Sequence, residues 1–209
     1  MSAGRDDPVL REYARLAPEY DRRWSAYVGA TIRETLRRLA ARPGERVLDV
    51  GCGTGTLLQE LAAVPDVRLV GIDPSAEMLA IARGKLPPTV SLVRGVAERL
   101  PLPDRAFDAV VSTNSFHYFR RPVEALREMR RVLVPGGRLV ITDWCDDYLT
   151  CRLCDRLLRL LGRAPVRVYR SGECRQLLAA AEVPAAEVER YKINWLWGLM
   201  TARAVARTA

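Results

Sequence analysis

The sequence Val-Leu-Asp-Val-Gly-Cys-Gly-Thr-Gly-Thr-Leu-Leu, residues 47–58, carries the strongest fold signal in the chain. An apolar, β-type run breaks into three glycines, and apolar sequence compatible with a helix begins at Leu57. This order predicts a strand, a tight loop and a helix. Glycines in such a loop permit positive φ and let a ligand approach the backbone, while the N–H groups that begin the helix favour an electronegative group. The stretch therefore predicts a nucleotide-like ligand.

The Gly-x-Gly pattern alone is shared by several dinucleotide-binding folds, so its surroundings decide which nucleotide is expected. Here the spacing is Gly-x-Gly-x-Gly, and Asp49 lies inside the strand that precedes the loop. A second apolar run ends at Asp73, 20 residues beyond Gly53, where a carboxylate can accept both hydroxyls of a ribose. A nicotinamide-binding domain and a purely structural turn remain as alternatives, although Thr56 replaces the third glycine of the nicotinamide fingerprint.

Three further stretches follow in order: Gly-Val-Ala-Glu-Arg-Leu-Pro at 95–101, Phe-Asp-Ala-Val-Val-Ser at 107–112 and Arg-Val-Leu-Val-Pro-Gly-Gly-Arg-Leu-Val at 131–140. Together with the glycine loop and its acidic partner, they resemble the class I S-adenosylmethionine-dependent methyltransferases over residues 45–144. The nearest subgroup is methyltransferase type 11, which contains the ubiquinone and menaquinone C-methyltransferases. The resemblance implies methyl transfer from S-adenosylmethionine to a small-molecule acceptor, apolar or aromatic, by in-line displacement.

Short apolar runs alternate with helix-compatible segments, which indicates a parallel sheet covered by helices on both faces. The pattern includes a helix over 121–133 and a strand over 137–143, and residues 186–193 and 195–204 predict an antiparallel strand pair. Together with this pattern, the resemblance implies an α/β fold. Its expected parts are a Rossmann-like, seven-stranded, mostly parallel sheet, an N-terminal helical extension and a helical insertion after strand 5. We expect one domain, comprising an N-terminal helical lid (1–42), a cofactor-binding core (45–144), a substrate-covering insertion (145–170) and a C-terminal helix and strand pair (171–209).

The resemblance also implies which residues hold S-adenosylmethionine at the carboxyl ends of the strands. These residues are Asp49, Gly51, Gly53, Gly55, Asp73, Pro74, Met78, Val96, Ala97, Glu98, Ser112 and Tyr20. In this assignment Asp49 orients the amino end of the cofactor, the first two glycines contact its methionine part, and Asp73 holds the ribose. Pro74 and Met78 fall where the family packs adenine, although ordinary core packing would place the same residue types there.

Val96 departs from the family pattern. The subgroup usually has Gly-Asp-Ala-Glu where this chain has Gly-Val-Ala-Glu, and the missing aspartate receives the adenine amino group. Losing a charge-assisted hydrogen bond of this kind costs about 1.5–3 kcal/mol, which weakens binding without abolishing it. Adenine is then held either by the backbone N–H of Ala97 together with stacking, or by Glu98.

Candidate catalytic residues lie after the fourth strand and in the N-terminal extension. His117 is the only histidine in the chain and suits general-base work near neutral pH, although the subgroup often uses a histidine here for packing. Tyr20, as part of a Tyr-Asp pair, and Trp24 are candidates for a lid over the methionine end of the cofactor. Packing against the sheet explains these two aromatic side chains equally well.

Residues 148–163 have helical amphipathic spacing. The predicted apolar face is Leu149, Leu153, Leu157 and Leu160, and the predicted basic face is Arg152, Arg156, Arg159 and Arg163. This helix is expected to form an apolar roof over the acceptor and to permit weak association with a membrane surface, or else to pack on the sheet as an ordinary helix. The nearby cysteines are Cys145, Cys151, Cys154 and Cys174. We expect small buried thiols and no metal, since no histidine accompanies them.

Composition limits the remaining function classes. The formal net charge is +8, but the arginines are scattered and only Lys85 and Lys192 are lysines, so a solvated basic surface is expected and no nucleic acid partner. RNA methylation and a non-catalytic S-adenosylmethionine-binding regulator or partner subunit remain as alternatives. The polar start, the lack of a run of about 20 apolar residues and the odd number of cysteines predict a cytoplasmic protein without a transmembrane segment, either monomer or homodimer.

Overall fold

A computed structural model describes residues 8–160, 167–183 and 186–206 of the chain. Its helices are α1 (Pro8–Leu39), α2 (Thr56–Leu61), α3 (Ala76–Lys85), α4 (Pro122–Arg131), α5 (Leu149–Leu160) and α6 (Ser171–Ala180), with a 3₁₀ turn at Phe116–Tyr118. Its strands are β1 (Arg46–Val50), β2 (Arg68–Asp73), β3 (Ser91–Arg94), β4 (Phe107–Thr113), β5 (Leu133–Trp144), β6 (Glu187–Lys192) and β7 (Gly198–Val205).

The strands form one seven-stranded sheet in the order β3-β2-β1-β4-β5-β7-β6. The first five in the chain are parallel, whereas β7 runs antiparallel to both β5 and β6. The predicted fold class and the predicted strand pair are therefore confirmed. The strand order reverses direction between β1 and β4, and ligands of open α/β sheets bind at the carboxyl ends of the strands beside such a reversal.

The predicted boundaries differ most around β5. The helix expected over 121–133 ends at Arg131, and the strand expected to begin at residue 137 begins at Leu133. Leu133 pairs with Phe107, and the register then shifts before Arg138 pairs with Ala109. The chain can therefore pair on both sides of the Pro135-Gly136-Gly137 interruption. The described residues do not include residues 1–7, the predicted helical residues 161–163 or Pro184, which precedes the predicted strand pair.

The core consists of two layers, one on each face of the sheet. In β1, the consecutive side chains of Val47 and Leu48 are both fully buried, which requires cover on both faces. Leu48 belongs to a cluster that includes residues of α4 and α6, while Val47 belongs to a cluster with residues of α1, α2 and α3. Full burial of one such aliphatic side chain contributes about 1.5–3 kcal/mol. The two layers thus fix β1, and with it the loop that follows.

No helix within the described part of the chain combines the length and the apolar character needed to cross a membrane.

Candidate functional site

The glycine loop directly after β1 has the backbone geometry that its sequence predicts. Gly51 and Gly53 have φ values of +77° and +53°, a region that residues with a Cβ rarely adopt. A Cβ on Gly51 would lie 2.4 Å from the Oγ of Ser115, whereas one on Gly53 would meet nothing within 4 Å. Gly51 is therefore required by close packing, while the backbone at Gly53 faces open space.

This open space belongs to a cavity of about 570 Å³ at the carboxyl ends of β1, β2 and β4, within the usual range for small-molecule sites. The structure brings most of the sequence-predicted residues together there. Those that line the cavity are Asp49, Gly51, Gly53, Asp73, Pro74, Met78, Val96, Ala97, Glu98, His117 and Tyr20. Residues of α1, including Tyr13 and Ile32, complete the wall.

Two predicted cofactor residues do not line the cavity. The expectation that Ser112 faces it is wrong, because its side chain is fully buried and its Oγ lies 2.6 Å from the Oγ of Ser115. Ser115 lines the cavity instead and donates to the carbonyl of Val50. Gly55 is absent from the lining as well, since it precedes α2 in the left-handed conformation with Leu86 packed behind it. Its role is to shape the loop.

Asp73 joins the loop after β1 to the loop after β2. One carboxylate oxygen accepts from the backbone N–H of Gly53 at 2.9 Å, and the other accepts from the backbone N–H of Ser75 at 2.8 Å. Burial raises the pKa of Asp73, and the two backbone hydrogen bonds partly offset this effect. Ser75 also caps α3 by accepting from the N–H of Met78, and serine is among the residues most favoured at this position.

Asp49 is the most perturbed acid of the site. Its side chain is 2% exposed, and its Oδ1 has no hydrogen-bond partner among the described residues. Burial, followed by the negative charge of Asp73, raises the pKa of Asp49 to about 8. Since a buried polar atom without a partner costs free energy, this oxygen is poised to accept a hydrogen bond from a ligand in the cavity.

Asp21 connects α1 to the glycine loop, a contact that sequence reasoning missed. Its carboxylate accepts from the hydroxyl of Thr54 and from the ammonium of Lys85, both at 2.6 Å. Burial raises the pKa of Asp21, but the hydrogen bonds of Lys85 and Thr54 outweigh it and leave the pKa lowered. The Tyr20-Asp21 pair was the only available signal in the sequence, and it could not identify partners 33 and 64 residues away.

Glu98, which also lines the cavity, already has hydrogen-bond partners within the protein. One of its oxygens accepts from the backbone N–H groups of Arg120 and Arg121, at 2.8 and 3.2 Å, which ties the carboxylate to the start of α4. The idea that Glu98 replaces the missing aspartate is therefore not supported by its orientation. Val96 is 41% exposed and lines the cavity, so its side chain is free of tight packing.

His117 lies at the edge of the cavity in the 3₁₀ turn after β4, paired with a carboxylate. Its Nδ1 lies 2.8 and 2.9 Å from the two oxygens of Asp143, at the end of β5. Asp143 is 1% exposed and also accepts from the backbone N–H groups of His117 and Trp144. Asp143 ends a strand at the same edge of the sheet, but it contacts His117 and is absent from the cavity lining.

Several aromatic rings lie around His117 next to the main cavity. They enclose a hollow of about 30 Å³ that shares Tyr13, Tyr20, Asn114, His117 and Tyr118 with the main cavity. The remaining members of this aromatic hollow are Trp24, Tyr27, Trp144 and Trp197. The phenolic groups of Tyr13 and Tyr118 are hydrogen-bonded to each other, and the ring of Tyr118 lies 3.9 Å from that of His117. The predicted lid aromatics of α1, Tyr20 and Trp24, thus sit beside the candidate catalytic histidine.

The leucine face of α5 points away from this site. Leu149, Leu153, Leu157 and Leu160 are 68%, 55%, 56% and 84% exposed. Cys151, on the other side of α5, is buried and its thiol donates to the carbonyls of Leu196 and Gly198. The prediction of an apolar roof formed by these leucines is therefore wrong, because the small cysteine side is the one that packs on the body. All five cysteines are free thiols, and the described residues contain no group of three potential metal ligands.

Comparisons with known proteins agree with this geometry. The family described as methyltransferase domain matches residues 48–141. An uncharacterized methyltransferase of Mycobacterium bovis is 34% identical over 196 residues, which are 93% of this chain and 74% of that protein. A demethylmenaquinone methyltransferase of Beutenbergia cavernae is 40% identical over 68% of this chain, but the chain spans only 57% of its length.

An uncharacterized transposon protein of Streptomyces fradiae is 45% identical over 55% of this chain, which spans only 34% of its length. Among solved structures, an S-adenosylmethionine-dependent methyltransferase of Thermotoga maritima aligns with a TM-score of 0.75 and 22% identity, over 95% of this chain and 99% of that one. The chain therefore belongs to the class I S-adenosylmethionine-dependent methyltransferases of the type that includes the menaquinone C-methyltransferases, and S-adenosylmethionine is its cofactor.

Proposed function

We propose that this chain transfers the methyl group of S-adenosylmethionine to a small apolar or aromatic acceptor by in-line displacement. The observation that carries the proposal is that the glycine-loop cavity and the aromatic hollow lie side by side and share five lining residues. The bound cofactor supplies a methyl group already activated by its positively charged sulfur. The protein then needs mainly to align the two reactants, which can supply a large part of the rate.

Features of the cavity fit this cofactor. The partnerless oxygen of Asp49 is suited to accept from the cofactor's amino group, and the open backbone at Gly53 leaves room for its methionine part. Gly51 shapes the same turn. Each oxygen of Asp73 makes one hydrogen bond to the protein and keeps further capacity for the ribose hydroxyls.

In this assignment adenine lies against Pro74 and Met78, with Ala97 and Val96 beside it. Glu98 shapes that end of the cavity while holding the start of α4. The acceptor enters at the other end, against the rings of Tyr20 and Tyr118 and next to His117. An aromatic lining provides large apolar contact area and suits a planar or apolar acceptor better than a phosphate-rich one. We retain His117 and Tyr20 as candidate catalytic residues.

The proposal is tested by incubating the protein with methyl-labelled cofactor and fractionated extract of the source organism. We expect label in a low-molecular-mass, organic-soluble product, with transfer that survives salt at about 200 mM because apolar burial is not weakened by salt. Labelled RNA with steep salt inhibition would favour the RNA alternative instead, since phosphate contacts release counterions. Tight cofactor binding without transfer to any fraction would favour the non-catalytic alternative.

We also propose weak association with an anionic membrane surface through α5. Its four exposed leucines lie near exposed Trp195, whose β6–β7 loop contacts α5 through Cys151, and Arg152 and Arg156 are exposed on the same helix. Apolar side chains interleaved with cations are typical of helices that lie in a lipid interface. The chain's net charge of +8 complements an anionic surface.

Sedimentation with phosphatidylserine vesicles and with phosphatidylcholine vesicles tests this association. We expect Arg152→Gln/Arg156→Gln to bind the anionic vesicles less than the charge-matched control Arg68→Gln/Arg83→Gln, whose arginines are exposed elsewhere on the surface. Equal binding by both variants, or a dimer buried on the leucine face with no vesicle binding, would contradict it. A cytoplasmic location remains part of the proposal and is supported by the five free thiols. The monomeric or homodimeric state stays a prediction.

A further inference from the structure

We propose that an arginine-lined cavity at the amino ends of β4 and β5 is a second binding site, which takes a small organic molecule with an apolar body and one carboxylate or phosphate group. The cavity has a volume of about 770 Å³, within the range of small-molecule sites. Its lining comes from the turn before β4, the second half of α4, the first residues of β5 and the end of α6.

This arginine-lined cavity is separate from the cofactor cavity. The two share no lining residue, and they lie at opposite ends of the central strands. Arg105 precedes β4 and Leu133 begins β5, whereas the cofactor cavity lies beyond the carboxyl ends of the strands. Because β4 has seven residues, about 20 Å of extended chain separates the two regions. A ligand in the second cavity therefore does not compete with S-adenosylmethionine for space.

Two arginines of the lining have their charges balanced within the protein. Arg131 donates from Nε and Nη2 to the two oxygens of Glu128, at 2.7 and 2.8 Å, and also pairs with Asp104. Arg130 donates to the backbone carbonyl of Glu182 at 2.8 Å and to its carboxylate at 3.0 Å. These contacts fix the wall of the cavity, and neither side chain requires an external anion.

The other two arginines, Arg105 and Arg127, have no acidic partner among the residues that the structure describes. Arg127 donates to the carbonyl of Ala180 at 3.1 Å, which uses only one of its five N–H groups. The turn that carries Arg105 is held by its backbone N–H, which donates to the carbonyl of Arg131 at 3.0 Å. An oxyanion in the cavity would offset the repulsion between these two positive charges on one concave surface.

Apolar residues supply much of the remaining lining. Leu133 and Val183 are 5% and 7% exposed, and Pro135, Ala179 and Ala206 line the same cavity. A guanidinium group binds a carboxylate or a phosphate through two parallel hydrogen bonds. The apolar residues gain from contact with a hydrocarbon body, which a bare inorganic ion lacks. The combination therefore favours an organic molecule that carries an anionic group.

The two acids of the lining limit how much negative charge the ligand can carry. The side chains of Asp104 and Glu182 are 70% and 74% exposed, so they keep most of their contact with the cavity mouth and with water. Their charges repel a chain of phosphates, whereas a single anionic group can lie against Arg105 and Arg127. A small molecule therefore fits this cavity better than a nucleic acid does.

Calorimetric titration with naphthoate and with naphthyl phosphate tests the site, using protein saturated with S-adenosylmethionine so that the cofactor cavity is filled. Naphthylmethanol is the neutral control, and inorganic phosphate is the control without an apolar body. We expect the anionic naphthyl compounds to bind at one site, at least about tenfold more tightly than either control. The tighter of the two identifies whether the site prefers a carboxylate or a phosphate.

Three variants locate the bound probe. Arg105→Gln/Arg127→Gln should weaken binding by about tenfold or more, because both uncompensated charges are removed. The charge-matched control Arg68→Gln/Arg83→Gln, on exposed arginines elsewhere, should bind as the wild type does. Ala179→Trp leaves the charge unchanged and fills the cavity from an exposed position of α6, so it should also weaken binding. The thermal midpoint of each variant establishes that it is folded.

Equal affinity of the two double variants, or undiminished binding by Ala179→Trp, would mean that the probes bind elsewhere and would overturn the inference. Inorganic phosphate that binds as tightly as naphthyl phosphate would overturn the assignment to an organic ligand. Absence of binding by both anionic probes at about 1 mM would overturn the site itself. None of these outcomes depends on methyl transfer, so the proposed function is tested separately.

Discussion

Asp49 shows how one buried residue can serve ligand binding at the expense of stability. Sequence position alone indicated that it lies beside the loop, since an acid inside an apolar strand is unusual. Its missing partner and its proximity to Asp73 could not be predicted, because both depend on how β1 and β2 align in the sheet. The same limit applies to His117, whose partner Asp143 is 26 residues away on another strand.

The raised pKa of Asp49 predicts a pH dependence of stability. Because its pKa in the folded protein is about 8, the folded state keeps a proton that the unfolded state releases at lower pH. The free energy of unfolding should therefore fall as pH rises from about 4 to about 8, by on the order of 1 kcal/mol per pH unit for one such group. Asp49→Asn should remove this slope, as measured by urea unfolding of the ligand-free protein. Parallel pH profiles for the two proteins would contradict the assignment.

Val96 allows a gain-of-affinity test at the adenine end. Since its side chain is partly exposed to the cavity, Val96→Asp places a carboxylate there without displacing packed neighbours. We expect calorimetric affinity for S-adenosylmethionine to increase by about 1.5–3 kcal/mol through a charge-assisted hydrogen bond to the adenine amino group. Val96→Asn is the uncharged control and should gain less. A decrease in affinity for Val96→Asp would mean that adenine lies elsewhere.

At the scale of elements, α5 shows what periodicity can and cannot predict. The spacing of its leucines correctly indicates that they share one face of a helix. It does not indicate which face packs, and the structure packs the side that contains Cys151, where a small side chain lets the helix approach β7 closely. The elements of the core were predictable because consecutive apolar residues leave only a buried strand as a reasonable interpretation.

The exposure of this face predicts that polar substitutions there are tolerated. Leu153 and Leu157 are more than half exposed, so replacing both by serine removes little buried apolar area and should change the thermal midpoint by no more than about 2 °C. Leu178→Ser in α6 is the matched control, because it makes the same replacement at a leucine that is 1% exposed. This core substitution should lower the midpoint strongly. A large drop for the α5 double variant in differential scanning calorimetry would show that its leucines are covered in solution.

At the scale of the whole molecule, the fold brings the candidate functional residues together at one edge of the sheet. Residues from the ends of β1, β2, β4 and β5 meet there, and α1 closes over them through Asp21 and Tyr13. The topology, the cofactor loop and the part of the cavity lining that lies in ordered local motifs were predictable from the sequence. The contacts of α1, and which side of α5 packs on the rest of the protein, could not be predicted. Both depend on packing between segments that are far apart in the chain. The account as a whole depends on the cavity being the cofactor site.

Calorimetric titration of S-adenosylmethionine into wild type and Asp73→Ala tests that claim most directly. If both ribose hydroxyls bind this carboxylate, the variant should lose about 2–4 kcal/mol of binding free energy, or roughly 30-fold to 1,000-fold in Kd. Asp73 also holds the N–H groups of Gly53 and Ser75, so the thermal midpoint of the variant must be measured to establish that it is folded. An unchanged Kd in a folded variant would contradict the assignment of this cavity to the cofactor.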